Sequence, residues 1–258
     1  MRYIDKIVLS QVAPWKPGEK ISQFEKIIFW TFINCIPIHT TNLLLNLKNK
    51  KSNPYLPQND IYKCIYIHIP KNAGTSIQKI LFPEYPKVGH KSLLYHKLYN
   101  KKKFNDYFKF AFVRNPWDRL VSAYHFLIKG GLNENEPGAK RWAEQLRIKG
   151  INSFENFVTS IPDSTFSCFF LNHRHLRPQY LWLTDEKGRL AVDFIGKIEN
   201  FEFDIGFLKN NLGIINQNKQ IKNNSTAHDY YKNLYTNRMK KIVEDYYKKD
   251  ISLFGYRF

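Results

Sequence analysis

The sequence predicts an α/β fold in which helices flank a central parallel sheet. Two segments, residues 63–76 and 108–127, support this prediction because each runs from a short apolar strand through a loop into a helix. Strands that alternate with helices along a chain are typical of parallel sheets with helices on both faces. The chain has 258 residues, which is long enough to bury a core of this kind.

The first segment combines a buried strand with a loop suited to an anion. Residues 64–69 form a nearly continuous apolar run, as expected for a parallel strand covered on both faces. Gly74 lets the backbone approach a ligand closely, and Thr75 and Ser76 open a helix whose first N–H groups point outward. Such a helix start attracts phosphate or sulfate, and Lys71 places a positive charge beside it. The segment therefore predicts an anion-binding loop.

This loop differs from the common nucleotide-binding loop. A Walker A sequence places its lysine directly before a serine or threonine, whereas Lys71 precedes Gly74. A kinase or NTPase would also need a metal-binding carboxylate after a second strand, but the second strand here leads into Arg114, Asn115 and Pro116. Both features disfavour the first alternative function, a nucleotide-dependent kinase-like transferase.

The second segment predicts a strand followed by a well-capped helix. Asn115 suits the N-cap, Pro116 suits the first helical position, and Asp118 favours the positive end of the helix dipole. Gly130 and Gly131 are expected to end the helix. The predicted buried face consists of apolar residues at helical spacing: Trp117, Leu120, Val121, Tyr124 and Leu127.

Arg114 and Ser122 complete a second candidate anion site. Arg114 leaves the end of the second strand, and Ser122 follows eight residues later, off the apolar stripe. An arginine fork and a hydroxyl directed at one oxyanion would bind a phosphate strongly. Together the two segments resemble the sulfotransferase superfamily, whose members transfer a sulfuryl group from 3′-phosphoadenosine 5′-phosphosulfate (PAPS). They are most similar to the carbohydrate branch, which includes chondroitin 4-O- and heparan sulfate 2-O-sulfotransferases.

The resemblance implies a P-loop-like strand-loop-helix site for the donor. In that site the first loop would hold the 5′-phosphosulfate, while Arg114 and Ser122 would hold the 3′-phosphate. The implied reaction transfers the sulfuryl group from PAPS to a hydroxyl of a carbohydrate acceptor, with 3′-phosphoadenosine 5′-phosphate (PAP) as product and no metal. The implied donor-binding residues of the first loop are Lys71, Asn72, Ala73, Gly74, Thr75 and Ser76.

The similarity extends over about residues 60–258. Residues 175–179, 192–199 and Asp204 resemble a His-x-x-Pro…Asp-Phe-x-Gly-x-x-Glu pattern of the carbohydrate enzymes. We therefore expect a sulfotransferase domain over residues 58–258, preceded by an N-terminal helical extension and linker over residues 1–57.

The N-terminal extension is expected to contain one helix and an exposed linker. A capping box at residues 22–25 opens a helix that stops at Pro37. Residues 48–60 contain two prolines and several lysines, which indicates an exposed linker.

Lys71 and His90 are the predicted catalytic residues. Lys71 would stabilise the bridging oxygen and the leaving 5′-phosphate, because a lysine and backbone N–H groups can replace the metal ions that kinases use. His90 is the expected base, since its Gly-His-x-Ser stretch is similar to the one that holds the catalytic base of heparan sulfate 2-O-sulfotransferase. His96 is a rival for this role, and the position of His68 in the strand favours a core or supporting role.

His175 and Arg177 are the expected acceptor-binding residues, although Pro178 is equally compatible with a purely structural turn. The expected acceptor is a carbohydrate, and an acidic one would match the charge of the chain. Residues 222–226 are predicted to fold over the nucleotide, and residues 129–162 border the acceptor cleft by position.

The net charge of +18 raises a second alternative, a non-catalytic polyanion-binding protein. A specific nucleic-acid partner is not indicated, because no helix-turn-helix signature, zinc-finger spacing or RNP-like strand is present. Charge alone would also leave the arrangement of Lys71, Arg114 and Ser122 in two similar loops unexplained.

The cysteines and the N-terminus bear on the expected compartment. Cys35, Cys64 and Cys168 are too few and too far apart for a disulfide framework, and no metal-ligand spacing occurs. The apolar stretch over residues 27–45 is interrupted by polar residues and a proline, so neither a signal peptide nor a transmembrane segment is expected. These features suggest a soluble, cytoplasmic enzyme of bacterial type. The sequence leaves the oligomeric state and the acceptor's identity open.

Overall fold

The computed structural model describes residues 52–131, 143–144, 146–148, 150–163, 173–214 and 230–258. Within these residues the chain forms three parallel strands with helices on both faces, which confirms the predicted α/β class. The helix expected at the N-terminus and the loop expected over residues 222–226 lie outside the described residues.

The sheet contains β1 (Cys64–Ile67), β2 (Phe108–Val113) and β3 (Phe194–Lys197), in the order β1-β2-β3. Both neighbouring pairs are parallel. The helices that precede, connect and follow these strands are α1 (Pro57–Ile61), α2 (Gly74–Leu81), α3 (Leu93–Tyr99), α4 (Lys101–Asp106), α5 (Pro116–Ile128), α6 (Phe154–Thr159), α7 (Tyr180–Leu183), α8 (Phe201–Asn211), α9 (Asn237–Tyr246) and α10 (Lys248–Phe254).

Alternate side chains of the central strands enter two separate cores, because successive residues of a strand point to opposite faces. On one face Ile65 and Ala111 pack with residues of α3, α7 and the C-terminal segment. On the other face Tyr66 and Phe112 pack with α2 and α8. Both strands are therefore covered on both sides, as their apolar sequences predict.

Helix α5 packs in a third core with α6 and α9. Its start agrees with the sequence, since the Asn115 side chain accepts a hydrogen bond from the Trp117 N–H and Pro116 is the first helical residue. All five apolar residues of the predicted face are buried. Gly130 and Gly131 follow the helix with φ of 73° and 107°, a region that favours glycine.

The spacing of Tyr235, Met239, Ile242 and Tyr246 predicts a helical stretch over residues 229–249 with one apolar face. The described part, residues 230–249, is not one continuous helix. A 3₁₀ turn (Tyr230–Leu234) precedes α9, and Thr236 begins that helix because its hydroxyl accepts from the Met239 N–H. Tyr247, with φ −98° and ψ 19°, separates α9 from α10. The predicted apolar face survives this division, since Tyr235, Met239 and Tyr246 remain buried in the third core.

The pattern at residues 192–199 fixes strand ends. Asp193 accepts from the Lys109 N–H at 2.7 Å, and Glu199 accepts from the Asn115 N–H at 2.6 Å. A Cβ at Gly196 would lie 2.6 Å from the Phe112 ring, so only glycine lets β3 approach β2 at this point. The other Glu199 oxygen accepts from the Tyr256 hydroxyl at 3.1 Å, which ties the C-terminal segment to the start of α5.

The prediction of an exposed linker over residues 48–60 is wrong for residues 52–60, the part that the structure describes. Tyr55, Gln58 and Asn59 are buried, and the Asn59 amide donates to the Cys64 carbonyl at 2.7 Å. The prolines that suggested a linker instead include Pro57, which begins α1. The proposed domain boundary between residues 57 and 58 stays a prediction.

No helix in the described part of the chain is long and apolar enough to cross a lipid bilayer.

Candidate active site

The two predicted loops meet at one edge of the sheet. One follows β1 and the other follows β2, and these strands are parallel neighbours. The carboxyl ends of parallel strands lie at the same edge, where α/β proteins bind their ligands. The loops are in direct contact, because Arg114 Nη1 donates to the Lys71 carbonyl oxygen at 3.2 Å.

The backbone of the first loop, residues 70–76, has two residues in the left-handed region. Lys71 has φ of 71° and Ala73 has φ of 51°, values that few residues with a side chain adopt. Ala73 is the N-cap of α2, and its carbonyl accepts from the Ser76 N–H at 2.9 Å. The N–H groups of Gly74 and Thr75 begin the helix without an intrahelical acceptor, so these groups can meet an anion.

Asn72 and Gly74 of the first loop make packing and hydrogen-bond contacts inside the protein. The Asn72 side chain is only 1% exposed, and its Nδ2 donates to the carbonyl of Phe112 and to Gln179 Oε1, both at 2.7 Å. Any contact between Asn72 and a donor would therefore come from its backbone. Gly74 makes room for His68, because a Cβ at this position would lie 1.7 Å from His68 Nε2.

Lys71 is a partly desolvated cation. Its ammonium lies 4.4 Å from the centre of the Phe126 ring, a cation–π contact. Burial, together with the nearby charges of Arg114 and Arg119, lowers the pKa of Lys71 to about 8. The amine is therefore charged at neutral pH, but an anion bound beside it would strengthen its hold on the proton.

Arg114 is held in place by Asp118. Its Nε and Nη2 donate to the two carboxylate oxygens of Asp118 at 2.6 and 2.8 Å, a bidentate fork. Sequence reasoning gave Asp118 only a role at the helix dipole, whereas the structure shows it orienting the guanidinium. Ser122 is half-buried one helical turn after Asp118, so the two residues share a face of α5.

His90 lies beside His68, with ring centres 4.2 Å apart. His90 Nδ1 is 3.1 Å from the His68 carbonyl oxygen. A carbonyl can only accept, so Nδ1 carries the hydrogen and Nε2 of the neutral ring is free to accept a proton. Burial and the neighbouring positive groups lower the pKa of His90 to about 3. The ring is neutral at pH 7, as a general base must be before it acts.

His96, the alternative candidate for the base, lies in α3 and is buried against Tyr55. His96 is 2% exposed, and its ring packs edge-on against Tyr55 with centres 5.5 Å apart. Its Nδ1 bonds to the Ser92 carbonyl within α3. This surrounding is part of the core, so His96 is not placed to act as a base. His68 follows the end of β1 and donates from Nδ1 to the Val88 carbonyl at 3.0 Å, which fixes the segment leading to His90.

His175 joins the same group of rings, 6.2 Å from His90 between ring centres. The backbone N–H of His175 donates to His173 Nδ1 at 3.4 Å, so this nitrogen carries no hydrogen. His175 Nδ1, 3.3 Å from it, is then the donor, and His175 Nε2 is left as an acceptor. Burial, followed by the nearby charge on His173, lowers the pKa of His175 well below its usual value.

Arg177 is half-buried, and its guanidinium lies 5.6 Å from the centre of the Trp182 ring. Trp182 is also a neighbour of His90, at 6.5 Å between ring centres. The structure thus brings the predicted base and both predicted acceptor residues together beside the donor loop.

Sequence reasoning missed four residues of this site: Phe126, Arg119, His173 and Gln179. Arg119 is 1% exposed, and it donates from Nε to the Pro70 carbonyl at 3.1 Å and from Nη1 to the Arg177 carbonyl at 2.9 Å. Arg119 follows Arg114 by five residues, and nothing in the sequence indicates that its side chain faces the interior. Gln179 is the last residue of the 175–179 pattern, and that pattern is the one sequence feature that could have indicated its role.

The described residues include no group of three or more His, Cys, Asp or Glu side chains arranged to hold a metal ion.

Replacing Gly74 with alanine should reduce both stability and ligand binding. The new methyl group would displace the His68 ring, and overpacking of this kind costs about 1–3 kcal/mol. Gly206→Ala is the matched control, because a Cβ there meets nothing within 4 Å and the residue lies in α8, where alanine is favoured by up to about 1 kcal/mol. Urea unfolding of both variants is the measurement; equal stability changes would contradict the assigned contact.

Comparison with known proteins agrees with the geometry. A family model described as "Sulfotransferase family" matches residues 56–257. An uncharacterized protein of Archaeoglobus fulgidus is 32% identical over 138 residues, covering 52% of this chain and 90% of that protein. Human carbohydrate sulfotransferase 9 is 25% identical over 76% of this chain and 52% of its own length. Zebrafish (Danio rerio) carbohydrate sulfotransferase 14 is 24% identical over 84% of this chain and 66% of its own length.

The chain thus spans about half of the human relative's length and about two thirds of the zebrafish relative's. No solved structure matches it significantly. The family model, however, covers most of the chain and includes both loops of the site. This chain belongs to the sulfotransferase family.

Proposed function

We propose that this protein transfers a sulfuryl group from PAPS to a hydroxyl of a carbohydrate. The observation that carries the proposal is the contact between the two anion-binding loops, in which Arg114 Nη1 bonds to the Lys71 carbonyl at 3.2 Å. A donor with anionic groups at both its 5′ and 3′ positions needs two such sites side by side. The names of the two carbohydrate sulfotransferase relatives support the acceptor class.

The first loop would bind the 5′-phosphosulfate. The N–H groups of Gly74 and Thr75, at the start of α2, offer hydrogen bonds and the positive end of the helix dipole. Thr75 is exposed and Ser76 is half-buried, so the hydroxyl of each residue can reach a ligand. Lys71 would stabilise charge on the oxygen that bridges sulfur and phosphorus as that bond breaks.

The second loop would bind the 3′-phosphate. Arg114 keeps one nitrogen on the Lys71 carbonyl and two on Asp118, which orients the guanidinium plane. Its remaining N–H directions and the Ser122 hydroxyl are the groups proposed for the phosphate. Asp118 would set the geometry of this contact without touching the donor.

His90 would act as the base. As the acceptor oxygen attacks sulfur, its proton would pass to His90 Nε2, and the sulfur–oxygen bond to the 5′-phosphate would break to release PAP. A pKa of about 3 makes this ring a weak base. The negative charges of a bound donor would raise the pKa, because an opposite charge nearby favours the protonated ring.

His175 and Arg177 would contact the acceptor. Both lie close to His90, through the ring contact with His175 and through Trp182. A partly desolvated guanidinium such as that of Arg177 favours an anionic group such as a carboxylate or an existing sulfate. An acidic saccharide would therefore fit this side of the site better than a neutral one.

Arg114→Ala should weaken PAP binding by at least about tenfold, since hydrogen bonds to charged groups contribute about 1.5–3 kcal/mol. Arg189→Ala is the matched control: Arg189 also pairs with an aspartate four residues away, Asp185, but its side chain is 68% exposed and lies outside the site. Calorimetry at near-physiological salt measures both. Equal affinities for the two variants would contradict the assignment, and a steep loss with added salt in all proteins would favour simple polyanion binding.

His90→Ala should reduce sulfuryl transfer by about 10²–10⁴-fold while leaving PAP binding unchanged, because a placed base contributes about that much to the rate. The exposed His125 of α5 provides the control, and His125→Ala should retain activity. Transfer of labelled sulfate from PAPS to acidic oligosaccharides is the assay. Loss of PAP binding in His90→Ala would remove the assigned role.

A further inference from the structure

Gln179 connects the two loops of the donor site. Its side chain is fully buried, at 0% exposed. Oε1 accepts from Asn72 Nδ2 at 2.7 Å and from the Arg114 N–H at 2.9 Å, while Nε2 donates to the Arg114 carbonyl at 2.8 Å. One side chain thus bonds to the loop after β1 and to both backbone polar groups of the residue that follows β2.

The sheet itself does not supply this connection. The paired register of β1 and β2 ends at Ile67 and Ala111. The two loops continue beyond that pair, where side-chain hydrogen bonds connect them: Asn72 Nδ2 to the Phe112 carbonyl, Arg114 Nη1 to the Lys71 carbonyl, and the bonds of Gln179. Gln179 contributes three of these bonds, one to Asn72 and two to the backbone of Arg114.

Gln179 is itself held by a buried carboxylate. Asp250 of α10 is 0% exposed, and its two oxygens accept from the backbone N–H groups of Gln179 and Tyr180 at 2.7 and 2.8 Å. The start of α7 is therefore anchored to the C-terminal helix, so the side chain of Gln179 reaches the loops from a fixed backbone.

We propose that Gln179 is a positioning residue that sets the spacing between the 5′-phosphosulfate loop and Arg114, and so determines selectivity for a nucleotide with two phosphate positions. The proposal rests on the proposed function. Two anionic groups on one ligand gain affinity from being linked only when the two subsites match their separation. Loss of the link should therefore affect a 3′,5′-bisphosphate more than a 5′-monophosphate.

The test compares PAP with AMP, which lacks the 3′-phosphate, by calorimetry on the full chain. Gln179→Met keeps the approximate volume and removes all three hydrogen bonds. We expect PAP affinity to fall by at least about tenfold and AMP affinity by less than about threefold, because only the linked gain is lost. Gln58→Met is the matched control, since Gln58 is also 0% exposed but bonds to the Pro86 carbonyl, outside the site. It should keep the wild-type ratio of affinities.

The ratio separates positioning from general destabilisation, which would move both affinities together. An unchanged ratio in Gln179→Met, with the wild type preferring PAP, overturns this inference and leaves the proposed function standing. A wild type without preference for PAP overturns the proposed function first. If Gln179→Met does not fold, Asn72→Ser removes the other end of the same link, together with the Asn72 bond to the Phe112 carbonyl, and the same ratio decides.

Discussion

Positive charge held out of water is the constraint on which the rest of the site depends. Lys71, Arg119 and Arg177 all have lowered pKa values, and burial is the first cause in each case. Arg119 Nη2 has no hydrogen-bond partner among the described residues. Close cations in a low-dielectric region, such as Lys71 and Arg119, repel one another, which is electrostatically unfavourable. A ligand with several negative charges would relieve that repulsion, and an uncharged one would not.

The same constraint explains why the histidines are neutral. His68, His90, His173 and His175 all have lowered pKa values, with burial as the main cause. Each is next to other rings or to cations, so an added proton would increase the repulsion. Their hydrogen bonds to carbonyl groups and to one another then fix the tautomers of His90 and His175. Neutral rings with defined acceptor nitrogens are the result.

Strand ends and loops are held by polar side chains, some exposed and some buried, in addition to apolar packing. Glu199 accepts from the backbone N–H at the start of α5, Asp193 accepts from a backbone N–H near the start of β2, and the buried Gln179 bridges the two loops. These three residues belong to the family pattern over residues 175–179 and 192–199, and each holds the structure by hydrogen bonds to backbone groups. These polar residues fix the positions of the cationic side chains. Without them, the repulsion between the cations would move those side chains apart.

The sequence was sufficient for the class of fold, and it pointed to most residues of the candidate site, whose roles stay predictions. The apolar runs of β1 and β2 predicted buried parallel strands, and the Asn115-Pro116 start predicted α5, because these signals are local. Gln179, Arg119 and Phe126 could not be assigned roles from sequence, since their partners lie 49 or more residues away or across a packing interface. The break at Tyr247 and the burial of Tyr55 were missed because tertiary contacts overrode weak local propensity.

The most direct test of this account is the proton balance of PAP binding. Calorimetry at pH 8, in two buffers of different ionisation enthalpy, reports protons taken up as the ligand binds. Because burial lowers the pKa of Lys71 to about 8 and a bound anion raises it, we predict net proton uptake that disappears in Lys71→Met. Binding without proton uptake, or uptake that persists in Lys71→Met, would contradict the claim that the ligand relieves a desolvated cation.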